Sequence, residues 1–278
     1  MIYTNFSYPS QYLFLGNAPL RKPFAQDEEI MNSIPLLNAE VLTGRDDNFI
    51  DHARLERPVH RDIVEPWLAL RADAAAAGFD LAIASGYRNY QRQFEIWNAK
   101  AGGTRPVVDD EGNAIDSDTL DERQLALAIL RWSALPGASR HHWGTDIDVF
   151  DRAAVPDDYV LQLSAAEAAD DGPFGPLHRW LDERIAADRA YGFFRPYQFD
   201  RGGIAPERWH LSYAPLAARY QRCLKAEMLW RAVDTPALAL RAAVAENWPM
   251  IFERFVWVAP EFYPLALRER LLTASDSA

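Results

Sequence analysis

Cysteine is almost absent. Cys223 is the single one in 278 residues, which excludes an intramolecular disulfide and any thiolate-rich zinc site. A metal in this chain has to be held by histidine and carboxylate. Long hydrophobic runs are missing too. No stretch approaches the roughly 18 apolar residues that a membrane span needs. The first residues, Met1 to Phe6, lack the basic stretch and apolar run of a secretory signal. A cytoplasmic location is the expectation, and a periplasmic one requires a leader that this sequence does not show. Positive charge is also in short supply, since 29 Lys and Arg stand against 40 Asp and Glu for a net charge of −11. With no local basic stripe, such a surface repels phosphate backbones and makes nucleic acid a poor partner.

What is present is core-forming material. Hydrophobic residues make up 49% and aromatics 12%, enough for one large domain or a domain with an appendage, and too many for a disordered chain. Residues 1–58 are punctuated by Pro9, Pro19, Pro23, Pro35 and Pro58 and show no sustained period. They read as an N-terminal segment wrapping the domain. From Ile63 to Ala77 the pattern is helical, with Ile63, Trp67, Leu70 and Ala74 on one face, Pro66 in the first turn and Gly78 as the stop. Phe79, Leu81 and Ile83 alternate as a short strand ending at Ser85-Gly86, and Tyr90–Lys100 is a helix ended by Gly102-Gly103.

The polar stretch 103–118 reads as a solvated loop, and its acidic continuation to 122 as a connection that could also act as a lid. Leu120–Trp132 is a further helix presenting Leu125, Ala128, Ile129 and Trp132, and Ser139–Phe150 starts polar and ends strand-like. A helix carrying Leu177, Trp180, Leu181 and Ile185 follows Pro173 and Pro176 and ends near Gly192. Glu207–Tyr213 reads as a strand, and the remainder is mostly helical with breaks near Pro236, Pro249 and Pro260. The fold class is α+β: a small antiparallel sheet carrying a site and flanked by helices, with a helical C-terminal extension. Domain bounds follow at 1–58, 59–216 and 217–278.

Two clusters carry the chemistry. One is Ser139-Arg140-His141-His142-Trp143-Gly144-Thr145-Asp146-Ile147-Asp148, the other Glu207-Arg208-Trp209-His210-Leu211-Ser212-Tyr213. A catalytic zinc site takes three protein ligands of imidazole and carboxylate type and leaves a fourth position open. Two histidines and an aspartate, with a spare glutamate, meet that requirement. The spacing sets conditions. Glu207 and His210 are three apart and would face opposite ways on a straight strand, so a turn after Pro206 is needed to bring them together. Gly144 permits the backbone bend that lets both His141 and Asp148 point inward.

The pattern Ser-x-His-x-x-Gly-x-x-x-Asp followed by Glu-x-x-His resembles the VanY-type D-alanyl-D-alanine carboxypeptidases, zinc D,D- and L,D-carboxypeptidases with a Hedgehog-like peptidase fold. Ser85-Gly86-Tyr87-Arg88-Asn89-Tyr90-Gln91-Arg92-Gln93 matches a third, upstream motif. The resemblance covers roughly residues 60–216. It implies His141, Asp148 and His210 as zinc ligands and Glu207 as the general base that activates water. It implies Arg88 as the binder of the peptide's terminal carboxylate or of the oxyanion, with Gln93 and Ser139 hydrogen bonding to substrate.

Two departures stand out. Asp146 occupies a position where the family usually has alanine, as a partner for a ligand histidine, a rival to Asp148 or a solvated side chain. Arg208 replaces a common proline, a change expected to matter little. His142 is expected in a structural or supporting role, and His52, His60 and His178 as structural residues. Trp143 and Trp209 are expected in the core rather than as a substrate platform.

The function implied is hydrolysis of the C-terminal D-amino acid of peptidoglycan stem peptides, with cytosolic L,D-cleavage of recycled tetrapeptides favoured. The alternatives are a non-catalytic, metal-stabilised peptidoglycan-binding module and a zinc endopeptidase. A general base at Glu207 would be of no use to the first. Oligomeric state is not legible.

Overall fold

A computed structural model of the chain describes residues 37–265, 267 and 268. Of the expected wrapping segment only residues 37–58 fall among them, and the far end of the C-terminal extension also lies outside the described residues.

Two short strands, β1 (Ile50–Asp51) and β2 (Val59–His60), pair antiparallel. The main sheet is built from β3 (Leu81–Ser85), β4 (Asp146–Asp151), β5 (Phe193–Phe194) and β6 (His210–Tyr213). It is fully antiparallel in the order β3-β4-β6-β5. Its register explains its chemistry. Ile147 lies opposite Leu211 and Val149 opposite Ile83, whereas Asp146 lies opposite Ser212 and Asp148 opposite both His210 and Ser85. Residues paired across strands share a face, so the sheet has one apolar face and one polar face. A shift in register between Ile83 and Ser85 re-aims the end of β3, the use to which a β-bulge is commonly put beside a site.

The apolar face packs on the helices Val64–Ala76 and Gly175–Ala186 through Trp67, Leu70, Leu177 and Leu181, all fully buried. Truncating a side chain such as Trp67 to alanine costs about 3–5 kcal/mol. Both helices start where the residues place them, but the second ends at Ala186 rather than near Gly192. Pro66 sits in the first turn of Val64–Ala76, where no N–H is required. The helix Tyr90–Ala101 is capped by the Asn89 side chain, which accepts from the Arg92 N–H at 2.8 Å.

The helix Glu122–Trp132 starts at a capping box formed by Asp121 and Gln124. Its buried face differs from the expected one. Leu125, Ala126, Ile129 and Leu130 are buried, while Ala128 and Trp132 lie at the margin. The helix is flanked by both Tyr90–Ala101 and Arg241–Glu246, which turns its apolar stripe away from the cleft that Trp132 borders.

After residue 213 the chain is helical, in Ala214–Cys223, Ala226–Val233, Arg241–Glu246 and Trp248–Ile251. Pro236 falls between helices, and Pro249 lies in the first turn of Trp248–Ile251, directly after the break at Asn247. Leu229, Val233, Val244 and Ile251 share a core with Trp97, Leu130 and Trp143. No helix among the described residues is long and apolar enough to cross a membrane.

Candidate metal centre

The polar face of the sheet gathers both sequence clusters. Asp148 and His210 are set side by side by the β4–β6 register. His141 comes from a single 3₁₀ turn, Arg140–Trp143, which ends at Gly144 with φ 66°. A side chain there would meet the His60 backbone N and Ile50 Cδ1 at 2.6 Å, so the bend between His141 and Asp148 requires glycine. His141 Nε2 lies 3.3 Å from Asp148 Oδ2, and His210 Nδ1 lies 3.2 Å from Asp148 Oδ1. One donor atom from each of the three residues lies within 4.8 Å of the others. Tetrahedral zinc with bonds of about 2.0–2.1 Å places its ligand atoms about 3.3–3.4 Å apart, comparable to these two separations, which run to the two different oxygens of Asp148.

The outer nitrogens settle which way the lone pairs point. His141 Nδ1 is 2.9 Å from the Gly86 carbonyl oxygen, and His210 Nε2 is 2.9 Å from Asp146 Oδ1. Both partners only accept, so both nitrogens donate. His141 Nε2 and His210 Nδ1 therefore aim lone pairs into the space they share with Asp148. Asp148 Oδ1 is buried there with no hydrogen-bond donor among the described residues. An orphaned carboxylate oxygen facing imidazole lone pairs fits a cation, and the mixed nitrogen and oxygen donor set fits zinc.

The electrostatics agree. Burial alone would raise the Asp148 carboxyl, yet His141 and His210 hold it well below the usual carboxylate range. Burial opposes charge on His210, but the surrounding carboxylates of Asp146, Asp148 and Glu207 raise it well above the usual histidine range. The pocket attracts positive charge.

Glu207 stands in the turn preceding β6, where the His210 N–H donates to the Glu207 carbonyl at 3.2 Å. That turn resolves the spacing problem, bringing Glu207 Oε2 to 3.3 Å from His210 Nδ1. Arg208, expected to be of little consequence, pins this turn. Its guanidinium donates to Asp182 at 2.7 and 3.0 Å and to Asp170 at 2.8 Å.

Arg88 is partly buried. It donates through Nη1 to Gln93 Oε1 at 2.9 Å and through Nη2 to Ser85 Oγ at 3.2 Å. Its backbone N–H donates to the His141 carbonyl at 3.1 Å, and its carbonyl accepts from His142 Nδ1. His142 accepts at Nε2 from the Gly137 N–H at 2.9 Å, so both of its ring nitrogens are engaged and it supports the site from behind.

Gln93 is placed differently from the expectation of direct substrate contact. It is fully buried, with its oxygen on Arg88 and its nitrogen donating to the Ala134 carbonyl at 2.6 Å. Helix geometry turns it behind Arg88 rather than toward the cleft. Ser139 is buried but lines the cleft.

Asp146 neither competes with Asp148 nor meets solvent. It has no exposure, and its carboxylate accepts from His210, Arg140 Nε at 2.8 Å, Thr145 Oγ1 at 2.7 Å and Ser212 Oγ at 3.0 Å. Arg140 is held in turn by Gln221 Oε1 and Tyr263 Oη, each at 3.2 Å. Ser212 could have been found from its strand spacing of two from His210. Gln221 and Tyr263 carry no sequence signal.

The cluster opens onto a cleft of about 590 Å³ whose floor includes Arg88, His141, Asp148, Glu207 and His210. The acidic loop forms one wall through Asp110, Glu111 and Gly112, and residues 162–166 contribute to another. Arg131 ties that first wall down, donating to both oxygens of Asp110 and both of Asp200 at 2.7–2.9 Å. Trp143 is a core residue whose Nε1 donates to the Leu42 carbonyl. Trp209, also buried, borders the cleft and stacks on Trp132.

The sequence profile described as "VanY: D-alanyl-D-alanine carboxypeptidase" matches residues 56–216. An uncharacterized protein of Haemophilus influenzae is 41% identical over 103 residues, which cover 36% of this chain and 70% of that protein. A D-alanyl-D-alanine carboxypeptidase of Enterococcus faecalis is 28% identical over 159 residues, covering 56% of this chain and 48% of that one, so the chain spans about half of its length. Among solved structures, a mutant of the vancomycin resistance D,D-pentapeptidase VanY in complex with Zn(II) is similar with 23% identity and a TM-score of 0.43, covering 66% of this chain and 92% of that one. The LdcB LD-carboxypeptidase is similar with 23% identity and a TM-score of 0.36, covering 56% and 65% respectively.

Proposed function

The chain belongs to the VanY family of D-alanyl-D-alanine carboxypeptidases, and we propose that it is a zinc-dependent carboxypeptidase removing the C-terminal D-amino acid from peptidoglycan stem peptides. The observation that carries this reading is the orphaned Asp148 oxygen between two inward-facing imidazole lone pairs, with the Glu207 carboxylate 3.3 Å from one of those nitrogens. His141, Asp148 and His210 would hold the ion. Zinc bound there supplies Lewis acidity toward the scissile carbonyl and lowers the pKa of water from about 15.7 toward about 7. Glu207 takes the proton of the attacking water and returns it to the leaving amine.

Arg88 offers a planar fork to the substrate's terminal carboxylate, and Gln93 and Ser85 hold that fork in place. Ser139 hydrogen bonds to the peptide. Asp146 and the Gly86 carbonyl fix the histidine tautomers. We read residues 59–216 as the catalytic domain. The described part of 217–278 buttresses it, because Gln221 and Tyr263 hold Arg140 against Asp146.

Metal analysis of purified protein paired with Glu207→Gln tests the reading. About one zinc per chain is expected, retained in the mutant while activity falls about 10²–10⁴-fold. Active protein without metal, or full activity in Glu207→Gln, overturns it. Amidating the peptide's C-terminus should abolish cleavage, and an endopeptidase would be unaffected. The finer reading is L,D-cleavage of recycled tetrapeptides in the cytoplasm. In a digest of mixed tri-, tetra- and pentapeptide muropeptides it predicts conversion of tetrapeptide to tripeptide. Consumption of pentapeptide alone assigns the D,D-reaction instead.

A further inference from the structure

The helix Tyr90–Ala101 runs beside the cleft with Gln93, Ile96 and Lys100 spaced three and four apart, hence on one face. Gln93 holds Arg88 near the helix start. Ile96 and Lys100 line the cleft further along, as does Arg105 in the loop that follows. Lys100 is partly buried. Of the two acidic residues of the adjoining wall, Asp110 is already taken by Arg131 and Glu111 makes no ion pair, and among the described residues no carboxylate lies within ion-pair distance of Lys100 or Arg105. Burial and the nearby Arg105 both push the Lys100 ammonium down, while Glu207 acts in the opposite direction; Arg88 is likewise within reach of Arg105 and Glu207. One cleft of an acidic protein thus holds two cations with no internal partner, in electrostatic reach of the general base and of the arginine that reads the terminus. Holding the half-buried Lys100 ammonium near the exposed Arg105 guanidinium is unfavourable until an anion arrives.

The spacing sets where that anion must be. Seven residues of helix separate Gln93 from Lys100, about 10 Å at 1.5 Å per residue, which is about three residues of extended peptide at 3.3 Å each. We propose that Lys100 and Arg105 form a second carboxylate subsite, so that the preferred substrate carries a free carboxylate within about three residues of its C-terminus in addition to the terminal one. This rests on the carboxypeptidase reading above and deepens it, naming the substrate class.

Two synthetic stem peptides test it, identical except that the third residue from the C-terminus bears a free carboxylate in one and its primary amide in the other. The wild-type chain should prefer the acid about tenfold in kcat/KM, and zinc-loaded Glu207→Gln should bind it about tenfold more tightly by calorimetry, the size expected for charge-assisted hydrogen bonds at a half-open site. Adding Lys100→Met and Arg105→Gln together should bring both ratios close to one. Damage to the fold lowers both peptides alike and cancels in the ratio. A ratio near one in the wild-type chain, or a preference that survives the double substitution, overturns the subsite. If neither peptide is cleaved, the carboxypeptidase reading fails, and the binding ratio still decides the subsite by itself.

Discussion

Asp146 Oδ1 accepts a hydrogen bond from His210 Nε2 at 2.9 Å, on the side of the ring away from Asp148. Two aspartates two residues apart on β4 thus take opposite ends of one imidazole. Asp148 faces the nitrogen with the free lone pair, and Asp146 fixes the tautomer that leaves it free. Arg140, paired with Asp146 and fully buried among Ser212, Gln221 and Tyr263, keeps that carboxylate ionised and aimed.

Asp146→Asn should therefore weaken zinc binding about 10–100-fold, the usual effect of removing a ligand's outer partner. Competition against a chromophoric chelator measures it. Unchanged affinity would mean that Asp146 only neutralises Arg140.

Gln93→Met should loosen Arg88 without touching the metal ligands. The expected result is a KM raised about tenfold with zinc content unchanged, because one charge-assisted hydrogen bond to the anchoring guanidinium is lost. Gln93→Glu restores an acceptor for Arg88 and should recover part of the loss. A fall in zinc content would show that Gln93 serves the ligands instead.

Arg131→Leu releases the clamp between Asp110 and Asp200. Amide hydrogen exchange in residues 106–113 should accelerate and KM should rise, while the helix Val64–Ala76, far from the clamp in the fold, keeps its protection. Unaltered exchange in the loop would show that its backbone turn at 109–113 suffices to hold it.

Acid should destabilise the fold through buried neutral histidines. Burial pushes His178 down to about 3 and His60 to about 4. His60 Nδ1 accepts from the Asp62 N–H at 3.1 Å, and neither ring nitrogen of His178 has a hydrogen-bond partner among the described residues. The unfolded chain, with histidines near 6.5, binds more protons below that pH, so stability is full above about 6.5 and is lost as pH falls toward 4. For His178 alone the loss between pH 7.5 and pH 5 is about 2 kcal/mol. Urea midpoints at the two pH values should differ accordingly, and His178→Leu should narrow the gap. An equal gap in the variant would place the acid sensitivity elsewhere.

Much of this was legible in the residues. Period and punctuation located the helices Val64–Ala76 and Tyr90–Ala101 within a residue or two, because each has an apolar stripe, a capping residue or proline at its start and a glycine or small residue after its end. Gly175–Ala186 starts where expected but is capped at Ala187, well before Gly192, its expected stop. The stripe of Glu122–Trp132 was misread at two of its four members, Ala126 and Leu130 being buried in place of Ala128 and Trp132, since two flanking helices rather than one decide which residues it buries. Arg208 looked like a neutral replacement, and its ion pairs with Asp170 and Asp182 are invisible in a linear reading.

The sequence by itself determined the kinds of group available: a single cysteine, far too few for a thiolate site, two histidines and neighbouring carboxylates in short motifs, and an arginine upstream. It also determined the local bends, since Gly144 alone tolerates its positive φ beside His60 and Ile50. Only the tertiary structure decided which carboxylate faces which nitrogen. That follows from the strand register, which is fixed by burying Ile147, Val149 and Leu211 on the opposite face and so sets residues about 60 positions apart side by side. The bracing of Arg140 by Gln221 and Tyr263 was likewise a tertiary outcome, because buried polar groups find their partners by packing rather than by spacing along the chain.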